Sequence, residues 1–536
     1  MRQFSRHLYL STTSYFRSQL STKSLSSTTC AIKQIFTGRR DLYNNFFPYQ
    51  KQLSFEKENE FLPISEFNED LDFCQALIKC QNIAVQRTLS QFLFKIDSSM
   101  QDAAIAVCED PHGMLEDLES TASFIAAGEQ TIELNVKKTW CWLSPKTTHL
   151  LIICRIMNAG APVVSAFLVR RDHPCINIVD NEKCKGIGTL RGVDITFDST
   201  KISPLDVVGV LGEGDTALFN INTGSWLLSS VYMINHLKSI INMMIPDLRK
   251  SPTLPSDLNV CEQLLYSLES MVTIVSNRVN SSAQDFQFVN EAFALKYFTS
   301  KYLSQILNLI SLHLTSDQQL MHDVDSLRQK LDLFSAFIGH NVTNFYSMVR
   351  RCLENYRDKE IETIKLFSDD TYGRRSEKFD FLKKLLMFQV AGQLDYTGGL
   401  SDGKTNFVLP YFKRPSLSQF VDTQLWYLGV TNAHAFKGFQ DNIWFNHYYH
   451  NLAGTHALHI YRLLSVLSRA THANNEYEIN LASQIVENSF NDFLRPNYLW
   501  HRLKIQGNYT IHNEIGRSSL ATRAIPFVHP ISPDII

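Results

Sequence analysis

Apolar residues change period twice along this chain. Between about residues 50 and 98 they recur at spacings of three and four, through FEKENEFLPISEF, DLDFCQALIKC and VQRTLSQFLFKI, which predicts a short helical lead-in. From Ala103 to Val208 the spacing falls to two, in AAIAV, TIELNV, HLLIICRI, VVSAFLV, INIV and VDITF, short runs separated by turn residues. That alternation predicts a small antiparallel β domain or barrel. After GEGD at 212–215 the period returns to 3.6 in long amphipathic stretches near 216–246, 258–280, 284–314 and 322–353. Four long helices with short links predict a bundle. A further helical region ends near Leu494, interrupted by the Gly- and Pro-rich segment YTGGLSDGKTNFVLPYFKRP at 396–415. The expected fold class is therefore α+β and mainly α. Its parts are an N-terminal helical segment at 41–100, a β domain at 101–211, a helical bundle at 212–355 and a C-terminal helical extension at 356–536.

Composition changes this picture at one end only. An apolar fraction of 44% over 536 residues is enough for several cores. The 51 Lys and Arg nearly balance 53 Asp and Glu, so no overall field favours nucleic acid. Ten cysteines without a CxxC pair read as reduced core residues, not a disulfide framework. Residues 1–40 hold seven Lys and Arg, many Ser and Thr, and no acid before Asp41. That composition reads as a mitochondrial transit peptide, with the matrix as the compartment. No run of 18 apolar residues occurs. The segment KFDFLKKLLMFQVAG at 378–392 sets Phe381, Leu385 and Phe388 beside Lys378, Lys383 and Lys384. Either it lies on the inner membrane surface or it is a core-facing helix.

Candidate chemistry is sparse. GIGTLRG at 186–192 lacks the spacing and strand-to-helix context of a dinucleotide loop and reads as a turn. His447, His450, His456 and His459 form two HxxH pairs, but Trp444, Tyr448 and Tyr449 among them point to an aromatic packing face, so no metal is expected. Neither a GxSxG elbow nor a P-loop is present.

Several blocks carry a family resemblance. AAIAVCEDPHG resembles a segment reading threonine, glutamate, proline ahead of a glycine. ELNVKKTW resembles leucine, asparagine, glycine, any, lysine, any, tryptophan, which sets Lys138 and Trp140 at the lysine and tryptophan. EKCKGIGTLRGVDITFD, LDLFSAFIGHNVT, LLSVLSRATHANN and the ending RAIPFVHP follow in order. Together they resemble the acyl-CoA dehydrogenases, in the very-long-chain branch that includes a complex I assembly paralogue. The resemblance implies that family's order of helices, β domain and bundle, with most of the N-terminal helical domain missing.

It also implies a degenerate site. The family's catalytic glutamate falls at Ile338, which cannot accept a proton, and the alternative base with its following arginine falls at Ser225 and Trp226. His340, two residues on, points away from that spot. A flavin-contacting hydroxyl two past Trp140 is replaced by Trp142. Arg249 resembles the arginine that opens the turn reaching a neighbouring subunit's dinucleotide, but Ser251 and Pro252 follow it, and paired glycines fall at Leu314 and Thr315. Trp140, Trp142 and Arg249 thus stand as vestigial cofactor positions. The resemblance implies a scaffold without cofactor, partnered with complex I assembly factors, as a homodimer or in a heterodimer with an active paralogue. Its alternative is an active FAD-dependent very-long-chain enzyme of fatty acid β-oxidation.

Overall fold

The computed structural model describes residues 73–92, 100–109, 121–124, 131–158, 161–181, 190–248, 254–281, 289–312, 318–336, 341–359, 446–472 and 476–502, with isolated positions at 94, 118, 119 and between 417 and 444. The expected transit peptide at 1–40 and the segment 378–392 lie outside the described residues. So do Ile338, His340, Arg249, Ser251, Pro252, Leu314 and Thr315.

Helix α1 (Phe73–Gln91) precedes eight strands: β1 (Asp102–Ala106), β2 (Thr121–Phe124), β3 (Ile132–Leu143), β4 (Thr147–Asn158), β5 (Ala161–Arg170), β6 (Ile176–Asp180), β7 (Arg191–Ile202) and β8 (Val207–Val208). They form one sheet in the order β6-β7-β3-β2-β4-β5-β8. Most pairings are antiparallel, as the alternating pattern leads one to expect. β4 departs from it: one edge pairs in parallel with β1 (Ala103 opposite His149) and then with β2 (Thr121 opposite Arg155). This mixed pairing is possible because β4 is buried on both faces. Leu150, Ile152, Cys154 and Ile156 enter the core enclosed by the sheet, while Leu151 and Ile153 enter a second core shared with α1 and the start of the bundle.

The bundle is α2 (Gly214–Leu248), α3 (Leu254–Ser281), α4 (Val289–Ser311), α5 (Gln318–Ala336) and α6 (Asn341–Lys359), followed by α7 (His447–His472) and α8 (Glu476–Arg502). The stretch expected as one helix over 322–353 is thus two, α5 and α6, with 337–340 between them. No helix among the described residues is long and apolar enough to cross a membrane. The eight described cysteines are free, six of them buried, and burial pushes the Cys154 and Cys352 thiols up to about 12.

Two joints fix the sheet to the helices. Asn82 of α1 donates to Asp102 Oδ1 (2.6 Å) and accepts from the Ala103 amide (2.9 Å), while Ser144 donates to Asp102 Oδ2 (2.8 Å). At the start of α2, Gly209 and Gly212 adopt φ of +74° and +97°, and the Gly212 amide donates to Ser165 Oγ (2.9 Å). A Cβ on Gly214 would lie 2.6–2.7 Å from the Ser165 backbone, so only glycine lets α2 begin directly on β5.

Gly454 makes the corresponding close approach between α7 and α6, where a Cβ would meet Val349 and lie 2.5 Å from Phe345 Cζ. In an open helix Gly454→Ala would add about 1 kcal/mol of stability. Here overpacking, at about 1–3 kcal/mol, outweighs that gain. The variant is expected to unfold at lower urea concentration than the parent; an unchanged or raised midpoint would refute the contact.

Candidate functional site

The candidate site is the seam between the sheet and the bundle. Cys74 and Leu77 of α1, Leu190 just before β7, and Trp226 and Phe293 of α2 and α4 belong to one buried cluster, and Trp142 of β3 packs against it half-buried. Trp226 is 3% exposed and meets Phe293 edge-on, with ring centroids 5.7 Å apart. Lys296 Nζ lies 5.7 Å from the centre of the Trp226 ring. Burial brings the Lys296 amine down to about 7. Ser225 is fully buried and its hydroxyl has no hydrogen-bond partner, while its carbonyl accepts from Ser229 Oγ (2.5 Å).

Trp226 lies in the helical core and Trp142 packs against that core, whereas Trp140 lies apart from it. Strand alternation alone would place Trp140 and Trp142 on the same face. A register shift in β3 between Lys138 and Cys141, with Trp140 at φ +59°, turns the first indole outward instead, to 36% exposure. Its amide faces Asp194 Oδ1 (3.4 Å), a carboxylate that also accepts from Asn181 Nδ2 (2.7 Å).

Two features escaped the sequence reading. Lys138, whose side chain is fully buried, pairs with Glu109 Oε1 at 2.5 Å, and Glu109 Oε2 accepts from the Glu119 amide at 2.6 Å. This ion pair ties β3 to the segment after β1, joining two of the blocks that carry the family resemblance. Their separation of 29 positions gave no local signal of pairing. The second is Lys296, whose signal was a lysine three residues after Phe293 on the buried stripe of α4.

Three of the four imidazoles singled out on α7 have aromatic neighbours. His447 meets the Tyr346 ring edge-on at 5.0 Å and His459 meets Phe298 at 5.4 Å. Burial lowers His450 and His456 to about 4. No group of three or more metal-ligating side chains occurs among the described residues.

No family model matches the chain. The amino sugar nitrososynthase DnmZ of Streptomyces peucetius is 30% identical over 128 residues, a match that spans 23% of this chain and only 31% of that protein. Among solved structures, an acyl-CoA dehydrogenase complexed with FAD from Bacillus anthracis aligns over 98% of this chain and 92% of its own, with a TM-score of 0.57 and 13% identity. ACDH-11 of Caenorhabditis elegans, in complex with C11-CoA, aligns over 78% and 71% with a TM-score of 0.49 and 13% identity. The chain has the acyl-CoA dehydrogenase fold.

Two outcomes follow. Lys138→Ala leaves the mostly buried Glu109 carboxylate unpaired and is expected to cost about 3–5 kcal/mol. The double variant Lys138→Met, Glu109→Gln should lose less than the sum of its single changes in a denaturation cycle, and strict additivity would refute the pair. His450 and His456 are lowered in the folded state, so between about 6.5 and 4 the unfolded chain binds more protons. Their contribution is complete above about pH 6.5 and lost as pH falls towards 4. Urea midpoints should drop from pH 7 to pH 5, and drop less in the His450→Gln, His456→Gln variant.

Proposed function

We propose that this chain is a non-catalytic protein of acyl-CoA dehydrogenase fold, acting in mitochondria as an interaction scaffold in the assembly of respiratory complex I. The observation that carries the reading is the filled seam. Trp142 enters from the sheet and Trp226 from α2, against one continuous core. A flavin ring needs a slot with accessible donors; at the positions the resemblance assigns to the site the chain presents Trp142, packed against the helical core, and the buried Ser225 and Trp226. They do not fit that group. Of the two positions where the family carries a basic carboxylate, one holds Ile338 and the other holds Ser225, which can neither take nor return a proton near neutral pH. Packing needs only apolar volume, so a scaffold keeps its bundle while individual catalytic side chains drift.

A flavin-dependent oxidoreductase, including a very-long-chain acyl-CoA dehydrogenase of β-oxidation, is the second reading. What favours it is Lys296, an amine whose pKa is lowered by burial beside the Trp226 ring. The partial match to a nitrososynthase adds that chemistry other than dehydrogenation belongs under the same heading.

Purified protein mixed with excess FAD and desalted should show no visible absorption, and tagged chain recovered from mitochondria should carry complex I assembly intermediates. A retained flavin spectrum would overturn the first reading and direct attention to long-chain acyl-CoA reduction. Normal complex I in cells lacking the chain, with no co-purifying intermediate, would end the scaffold role.

A further inference from the structure

Trp140 stands at the surface against both its backbone preference and its apolar character. Its φ of +59° lies in the left-handed region, where a residue with a Cβ is strained. The outward turn leaves the indole 36% exposed, two residues from Trp142, which packs on the helical core. The register shift between Lys138 and Cys141 sets Thr139 and Trp140 together against Asp194 of β7. On the far side of β7, Val179 of β6 lies directly opposite Asp194 and is 55% exposed. Directly opposed residues of neighbouring strands share a face. An indole, a carboxylate and an aliphatic group thus run across the three adjacent strands β3, β7 and β6.

The carboxylate in that row is held in place without being neutralised. Asp194 Oδ1 accepts from Asn181 Nδ2 (2.7 Å) and lies 3.4 Å from the Trp140 amide nitrogen. No cation pairs with Asp194 among the described residues. On the flanking positions, Arg191 is bound to Asp180 at 2.5 Å, and Lys137 stands opposite Thr196, one outward position further along β7. Two neutral donors therefore fix where the negative charge sits and leave it uncancelled. An accessible ring beside a fixed carboxylate is a receptor for a planar cation: the ring quadrupole attracts it, and the carboxylate accepts its hydrogen bonds.

We propose that Trp140, Asp194 and Val179 form a docking point for an arginine of a partner protein, flanked in that partner by an aliphatic residue. A guanidinium fits better than an ammonium, because it is planar enough to stack on the indole while its edge donates to the carboxylate. Val179 takes the aliphatic neighbour, which sheds water on contact. All three groups are reached from solvent, so docking opens no packed helix and needs no flavin. The inference rests on the scaffold reading for the existence of a partner and names the chemistry of that partner's contact.

The test is fluorine NMR of the full chain labelled with fluorotryptophan, titrated with capped Ile-Arg-Ile and with its lysine, glutamate and norleucine counterparts. Trp140→Phe identifies the Trp140 resonance by its loss. Ile-Arg-Ile is expected to shift that resonance saturably, the lysine peptide more weakly, and the glutamate and norleucine peptides not at all. Asp194→Asn keeps the oxygen that faces the Trp140 amide but removes the charge. It should weaken the arginine peptide by about threefold to fivefold, the scale of an exposed ion pair. The proposal is overturned if Ile-Arg-Ile leaves the resonance unmoved, if the glutamate or norleucine peptide moves it as far, or if folded Asp194→Asn binds as the parent does. Should Asp194→Asn fail to fold, the parent's ranking of the four peptides decides the matter alone. A failed titration beside captured complex I intermediates would remove this contact and leave the scaffold reading. A successful titration without such intermediates would keep the docking point and remove the complex I role.

Discussion

Every residue of α2 from Ile221 to Val231 is buried, so this helix has no free side over three turns. A helix that is buried all round is an axis, not a wall. The sheet and α1 pack against α2, as do α3, α4 and α5. The consequence for Ser225 and Trp226 is direct. A catalytic group on α2 would need a cavity opened beside it, and each buried apolar neighbour displaced to make one would cost stability in proportion to the volume vacated.

The same constraint explains why the seam is closed from the sheet side. The Asn82, Asp102 and Ser144 hydrogen bonds hold β1 to α1, and the glycines at 209, 212 and 214 bring α2 down onto the β5 backbone. With both joints fixed, β3 has little freedom to withdraw Trp142, and the outward turn of Trp140 is absorbed within the strand by its register shift. One indole is thus committed to the helical core and the other to the surface, although they stand two residues apart.

Periodicity carried most of this architecture. The short β-rich runs marked β1, β3, β4, β5, β6 and β7; β3 presents alternate residues to a core, whereas consecutive residues of β4 and β5 are buried. β2 and β8 were missed: four and two residues are too short to show a period, and both are defined by what they pair with. The single helix expected over 322–353 hid a division into α5 and α6, since the apolar spacing continues through both. At the site, Trp142 and Trp226 were legible as bulky replacements because a resemblance supplied the positions. Their meeting in one cluster was not, for it depends on the sheet docking against the helices. The Lys138–Glu109 pair was invisible for the same reason: the partners are neighbours only once β1 and β3 are side by side.

Three buried cations show how differently one fold can treat the same electrostatic problem. Lys138 is matched by a carboxylate at contact distance, which is stable so long as both partners stay. Lys296 lies over an indole and is eased by burial towards its neutral form, a route open to an amine because its proton can leave. Arg462 has neither remedy. Its partners are neutral hydroxyls, and two aromatic rings lie beside it. The first two cations are settled by the chain itself. The third is met, among the described residues, by two hydroxyls and two ring faces, so its hold on α4 and α8 rests on hydrogen bonds and not on charge pairing.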